Sequence, residues 1–155
     1  MIYVFDSDAL ITLFGNYYPM RFPSLWKKFE ESIAERKIVS VREVYNEIEG
    51  YSSRLGEWAK GNRDFFYPPS TEELAFVAEI FKIPHFQDLV RKQERLQGKP
   101  VADPFVIAKS KTLEGCVVTQ ESKKPNAVRI PNVCEHFSIH CLNLEGFMER
   151  EDWTF

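Results

Sequence analysis

Ile2-Tyr3-Val4-Phe5-Asp6-Ser7-Asp8-Ala9-Leu10-Ile11 is an apolar run that breaks at two acids and then resumes. Residues 2–5 are short, continuous and β-rich, the pattern of a buried strand. A helix is expected from Ser7, so the strand hands Asp6, and then Asp8, to a helix start. In open α/β sheets, ligands bind in the crevice beyond the carboxyl ends of the strands. A carboxylate there needs company, because burying one unpaired is costly. A metal ion, a cationic side chain or the free N–H groups of the next helix would each serve.

Working outward, Gly15-Asn16 stops a first helix over 7–14, and 17–23 is an aromatic, proline-bearing connection. Leu25, Trp26, Phe29 and Ile33 recur at helical spacing, predicting a helix over 24–36. Of the aromatics Tyr17, Tyr18, Phe22 and Trp26, core packing is the first expectation and a partner surface the second. Ile38-Val39 is a very short strand. Ser40-Val41-Arg42-Glu43 matches a capping box, opening a helix that carries Val44, Glu47 and Ile48 and ends at Gly50. A short helix over 53–62 turns Trp58 inward, and Tyr67-Pro68-Pro69 breaks the chain.

Ser70-Thr71-Glu72-Glu73 is a second capping box, for a helix through Phe81, with Pro84 as its stop. Residues 86–96 suit a polar helix and 98–100 a loop. Asp103-Pro104 starts a helix to about Leu113, feeding a strand over 116–119. A polar loop over 120–126, a brief strand over 128–130, a short helix over 131–137, a strand over 140–144 and a turn at Phe147-Met148 complete the pattern. Strands alternating with helices predict an α/β fold: a small parallel sheet with helices on both faces.

The 155 residues suit one domain, and 44% hydrophobic content with 13 Phe supports an aromatic-rich core. No apolar stretch approaches the roughly 20 residues that span a bilayer, and no basic leader precedes Asp6. A cytoplasmic protein without membrane contact is the expectation. The three cysteines form no Cys-x-x-Cys pair, so buried free thiols are expected. Cys134-x-His136-x-x-x-His140-Cys141 is the one cluster to weigh for zinc, and its spacing is not a common zinc pattern.

The net charge of −3 argues against bulk coating of nucleic acid. Residues 91–129, however, hold 9 basic and 4 acidic groups. Arg91, Lys92, Arg95, Lys99, Lys109, Lys111, Lys123, Lys124 and Arg129 form either a phosphate-attracting tract or a solvated face.

Asp6, Glu47, Asp103 and Glu121 all fall near expected strand ends or helix starts, which a parallel sheet gathers along one edge. Converging carboxylates repel one another unless a cation compensates. Hard divalent ions suit such oxygen donors, and their bound waters are candidate nucleophiles for phosphodiesters. Singly, each acid has a plainer reading. Asp6 can cap the first helix, and Asp103 before Pro104 has the form of an N-cap. Glu47 suits a helix surface and Glu121 a loop. Glu43 belongs to the capping box. Asp8 can ligate, cap or orient.

In order, these segments resemble a known family. Val4-Phe5-Asp6-Ser7-Asp8-Ala9-Leu10-Ile11 resembles the opening motif of PIN domains, an apolar strand ending in Asp before a hydroxyl residue. Val44-Tyr45-Asn46-Glu47-Ile48 resembles the second motif, and Ala102-Asp103-Pro104-Phe105-Val106-Ile107-Ala108 the third. Val117-Val118-Thr119-Gln120-Glu121 is similar to the fourth. Asp8 stands where a small polar residue is usual, and Glu121 where Asp is usual.

The resemblance implies a PIN-like fold and metal-dependent RNA cleavage, commonly as the toxin of a bacterial toxin–antitoxin pair. It assigns Asp6, Glu47 and Asp103 to Mg²⁺ or Mn²⁺, with Glu121 and Asp8 completing or adjusting the site. Ser7 and Thr119 would orient carboxylates or water. Arg95, Lys99, Lys123 and Lys124 would hold the RNA backbone. An antitoxin protein and a homodimer are the implied partners. Two rivals remain: a non-catalytic PIN-like binding module, and an Asp-nucleophile phosphatase. Asp6-Ser7-Asp8 also resembles the Asp-x-Asp motif of haloacid-dehalogenase-like phosphatases. No later Asp-Asp or Gly-Asp-x-x-x-Asp run supports the phosphatase.

Overall fold

Five strands, β1 (Tyr3–Phe5), β2 (Ile38–Val41), β3 (Phe66–Tyr67), β4 (Cys116–Val118) and β5 (His140–Leu142), form one sheet in the order β3-β2-β1-β4-β5. All four pairings are parallel. This computed structural model describes residues 1–51, 53–89 and 101–155. Eight α-helices are described: α1 (Ser7–Asn16), α2 (Pro23–Ala34), α3 (Arg42–Ile48), α4 (Arg54–Gly61), α5 (Thr71–Phe81), α6 (Asp103–Thr112), α7 (Ile130–His136) and α8 (Leu144–Arg150). None of them is long and apolar enough to cross a membrane.

Every residue of β1, β2 and β4 is buried, as in a sheet covered on both faces. Alternation explains how. Tyr3 and Phe5 share one face, where Tyr3 and Phe5 pack edge-on against Phe147 of α8 and Phe5 also meets Phe29 of α2. Val4 points the other way, with Val117 and Cys141 beside it in register. Phe29, Phe14, Trp26, Trp58 and Phe65 form a ring cluster on the first face. Fully burying each such ring contributes about 1.5–3 kcal/mol, before packing terms.

Four helices end in one recurring way. Arg36, Glu114, Ser138 and Asp152 adopt left-handed backbone just after α2, α6, α7 and α8, at φ 57, 51, 57 and 55°. At each, the next residue's N–H reaches five residues back: Lys37 to Ser32, Gly115 to Ser110, Ile139 to Cys134 and Trp153 to Met148. This closure usually takes glycine. Here polar residues stand in that position, so no stop signal was visible, and α2 ends at Ala34 rather than at residue 36. Gly115 serves a different need, since a Cβ there would lie 2.4 Å from the Ile2 carbonyl oxygen.

Other expectations are corrected. Ser40 is no cap: it lies in β2 and its hydroxyl donates to the Phe5 carbonyl, leaving Val41 at the N-cap of α3 without a side-chain bond. Glu43, freed from that role, is 1% exposed and ion-pairs with Arg42. The second capping box does form, with Ser70 and Glu73 exchanging both bonds. Asp103 is the first residue of α6, and Ala102 is its N-cap. β3 was missed because two aromatics before a Pro-Pro pair carry no alternation to detect. The strand expected over 128–130 is loop followed by α7, and the terminal turn is helix α8. The helix expected over 86–96 begins as a 3-10 turn at Pro84–Gln87, and most of it lies outside the described residues.

Tyr17 and Phe22 pack on the core half-buried, Trp26 is buried, and Tyr18 is exposed with the Arg54 guanidinium over its ring. A mixed role thus replaces the choice between core and surface.

Candidate active site

The carboxyl ends of β1, β2 and β4 sit side by side because the strands are parallel and in register. Asp6 follows β1 directly and caps α1. Its Oδ1 accepts the Ala9 N–H at 2.8 Å, and its Oδ2 accepts the Thr119 hydroxyl from just beyond β4. Cap and cluster member are therefore one residue, and the alternatives left open by the sequence are not exclusive.

α3 leaves the end of β2 and places Glu47 in its last turn. Glu47 Oε2 accepts the Ser7 hydroxyl, and its Oε1 accepts the Ala102 N–H at 2.9 Å. That second bond ties the start of α6 to α3 and so brings Asp103, the next residue, to the same edge. Backbone N–H donors such as Ala102 leave no trace in a residue pattern, so this contact was missed.

The acids feel one another. Burial, the largest effect, drives the Asp6 carboxyl well above its ordinary range; Asp8 and Asp103 push it further, against the Thr119 and Ala9 bonds. Glu47 is raised in the same way, by burial first and then by Asp103 and Asp8, against Ser7 and Ala102. Asp6, Asp8, Glu47 and Asp103 thus form one repulsive field, graded from Asp6 at 4% exposure to the exposed Asp8. Their donor set is all carboxylate oxygen, which suits a hard cation.

Fit to a metal has a second side. Among the described residues, no group of three His, Cys, Asp or Glu side chains is arranged to hold a metal ion. The carboxylates are held by hydroxyl and backbone donors rather than converged on a point. Mg²⁺ characteristically uses one or two carboxylates and keeps several waters, so the donors suit it in kind without forming a closed cage.

Glu121 is placed differently. Its N–H donates to Thr119 Oγ1, and its Oε2 accepts the Ile130 N–H at 2.9 Å, at the first residue of α7. Its charge is felt by Cys134 and Cys141, and it lines a groove of about 490 Å³ with them, Thr119 and Lys123. The Glu121 N–H and the Asp6 carboxylate share the Thr119 hydroxyl.

Part of the basic tract is engaged where it is described. Lys123 ion-pairs with Glu135, and Arg129 bonds the Ser122 carbonyl. Lys124 exchanges backbone bonds with the Asn132 side chain. Lys109 is turned inward to Glu73 at 3.0 Å and over the Tyr67 ring. Arg95 and Lys99 lie outside the described residues. A second groove, of about 740 Å³, runs along α1 from Thr12 and Asn16 to Gln120, Asn143 and Trp153. Glu145, Glu149 and Asp152 on its wall disfavour a phosphate backbone there.

Among the described residues, Cys134, His136, His140 and Cys141 are not arranged to hold a metal ion. The His136 ring packs against Phe86 and Phe137 instead.

Fold and site together define a parallel α/β protein with an acid cluster at the carboxyl edge of its sheet. Residues 3–155 match the family described as Domain of unknown function (DUF4411), and the chain belongs to that family. No curated protein matches the chain.

Proposed function

We propose that this chain is a PIN-like, metal-dependent endoribonuclease, with Asp6, Glu47 and Asp103 as the acids that would bind Mg²⁺ or Mn²⁺, directly or through the waters the ion keeps, and Asp8 at the mouth of the site. The supporting observation is the gathering of acids at the edge where parallel sheets bind ligands: Asp6 and Glu47 are fixed by Thr119, Ala9, Ser7 and Ala102, and their carboxyls are raised by burial first and then by Asp8 and Asp103. Acids gathered so, with Asp6 buried and Glu47 and Asp103 partly buried, are stabilised by a divalent cation. Such an ion, when bound, supplies an activated water and polarises a phosphoryl oxygen.

The chain's own groups have separate tasks. Thr119 and Ser7 fix the rotamers of Asp6 and Glu47 by donating to them. Ala102 holds the far oxygen of Glu47. Asp8, being exposed, meets solvent and substrate first. Glu121 keeps α7 in place and, through Thr119, steadies Asp6. Lys124 and Lys123 remain the described candidates for the RNA backbone, and a role as toxin with an antitoxin partner belongs to the same proposal.

The test is cleavage of a mixed RNA pool by purified protein in Mn²⁺ or Mg²⁺, with chelator and Asp6→Asn as controls. Cleavage lost in both controls supports the reading. Cleavage unaffected by chelator, or none in any metal with no calorimetric Mn²⁺ binding, sinks it.

One observation favours a second reading, a PIN-like binding module without catalysis: no three ligand-type side chains among the described residues are set for a metal. Mn²⁺ binding without cleavage would select it.

A further inference from the structure

The geometry points to a reversible redox site formed by Cys134 and Cys141, in which a peroxide-class oxidant joins the two thiols as a disulfide between α7 and β5. Cys134 lies on α7 and Cys141 in β5, both line the groove of about 490 Å³ beside Thr119, and the two thiols lie near enough to influence each other's titration. Cys134 is fully buried behind Cys141, which is partly exposed. An attacking thiol open to a small oxidant with a second thiol against it is the arrangement of a redox-sensing pair.

The third cysteine is excluded by the sheet itself. Cys116 pairs in register with His140, whereas Val117 pairs with Cys141. Successive strand residues face opposite ways, so Cys116 and Cys141 project from opposite faces. Burial also pushes the Cys116 thiol up to about 11, leaving it unreactive near neutral pH. Cys134 beside it pulls the Cys141 thiol below its usual range, although burial and Glu121 oppose this. Cys141, the more exposed of the two, is the sulfur a small oxidant reaches first.

The chemistry balances without another reagent. The Cys141 thiolate attacks one oxygen of hydrogen peroxide, the O–O bond breaks, and the departing hydroxide takes a proton to leave as water. Cys141 is then a sulfenic acid. The Cys134 sulfur attacks it, the S–O bond breaks, and a second water leaves as the disulfide forms. Two thiols have lost two electrons and two protons, and the peroxide has gained them. A dithiol reductant reverses the step.

The test uses the full chain, folded and free of metal. Stoichiometric hydrogen peroxide, followed by alkylation in denaturant, should give a chain lighter by two hydrogens before alkylation and alkylated only at Cys116. Peptide mapping should place the link between Cys134 and Cys141, and dithiothreitol should restore three alkylation sites. In Cys134→Ser, a sulfenic-acid trap should label Cys141; in Cys141→Ser, neither label nor link should form. Three alkylatable thiols after peroxide, a link through Cys116 or between chains, or reaction only once urea unfolds the protein would each overturn the proposal. The wild-type arms decide even if a serine variant fails to fold.

Discussion

The Thr119 hydroxyl donates to Asp6 Oδ2 at 2.5 Å, so the residues that follow β4 and β1 are bonded across 113 positions of sequence. The same hydroxyl oxygen accepts the Glu121 N–H at 3.1 Å. Thr119→Val keeps the shape and removes both bonds. A buried acceptor left without its donor costs about 1–3 kcal/mol. Urea denaturation at neutral pH should show a loss of that size, and Mn²⁺ affinity should fall by about 10–100-fold. An unchanged midpoint would mean that Thr119 does not hold Asp6.

Stability should depend on pH with an unusual sign. Asp6 and Glu47 are raised in the folded state, so the folded chain keeps protons that the unfolded chain has released. Stability from these groups is greatest below the unfolded carboxyl value of about 4 and falls as pH rises through their folded values. Chemical denaturation in chelator from mildly acid to neutral pH should show this decline, with Mn²⁺ opposing it at the neutral end. A rise over that interval would contradict the raised carboxyls.

Asp6→Asn separates charge from cap. Asn caps about as well as Asp, so the bond from Ala9 survives while the repulsion from Asp8 and Asp103 is relieved. In chelator the variant should melt at or above the wild-type temperature and lose most of the pH slope. RNA cleavage should be abolished. A clear fall in melting temperature would show that the carboxylate matters more to α1 than to the cluster.

Lys109 and Glu73 form an ion pair with side chains 12% and 4% exposed, and Glu73 also completes the capping box of α5. Removing one partner leaves the other charge buried. Lys109→Met should therefore cost about 3–5 kcal/mol in urea denaturation, and adding Glu73→Gln should recover part of it. Additive losses would mean that the pair is not coupled.

Glu114 ends α6 in left-handed backbone at φ 51°. Glu114→Gly should stabilise the protein by up to about 1 kcal/mol, since glycine adopts that conformation without a Cβ penalty. The readout is the urea midpoint at constant slope, and a loss of stability would show that the Glu114 side chain holds the turn.

The parallel α/β architecture was legible because β1 and β4 are continuous apolar runs, and β2 opens with one, between helical stretches. The positions of Asp6 and Asp103 followed from where such strands and helices begin and end. Other features had no signature. The Ala102 bond to Glu47 uses a backbone donor, β3 is two residues long, and four helices close on polar left-handed residues. Ser40 misled for a physical reason: a hydroxyl in a capping-box spacing served a strand instead, bonding the Phe5 carbonyl across the sheet. The place of Glu121 after Thr119 was legible, whereas its bond to the start of α7 uses a backbone donor and shows only in the fold.

The strand order β3-β2-β1-β4-β5 puts the first strand made in the middle of the finished sheet. On a growing chain, β1 can zip to β2 once Val41 is made, yet its other edge waits for Cys116–Val118. During that interval β1 carries a row of unpaired backbone groups, an edge open to chaperones or to misplaced strands. Asp6 waits with it, since Thr119 is not yet there to greet it. Late closure of this seam, with its long sequence separation, is a natural kinetic bottleneck for folding, and it delays assembly of the acid edge until most of the chain has been synthesised.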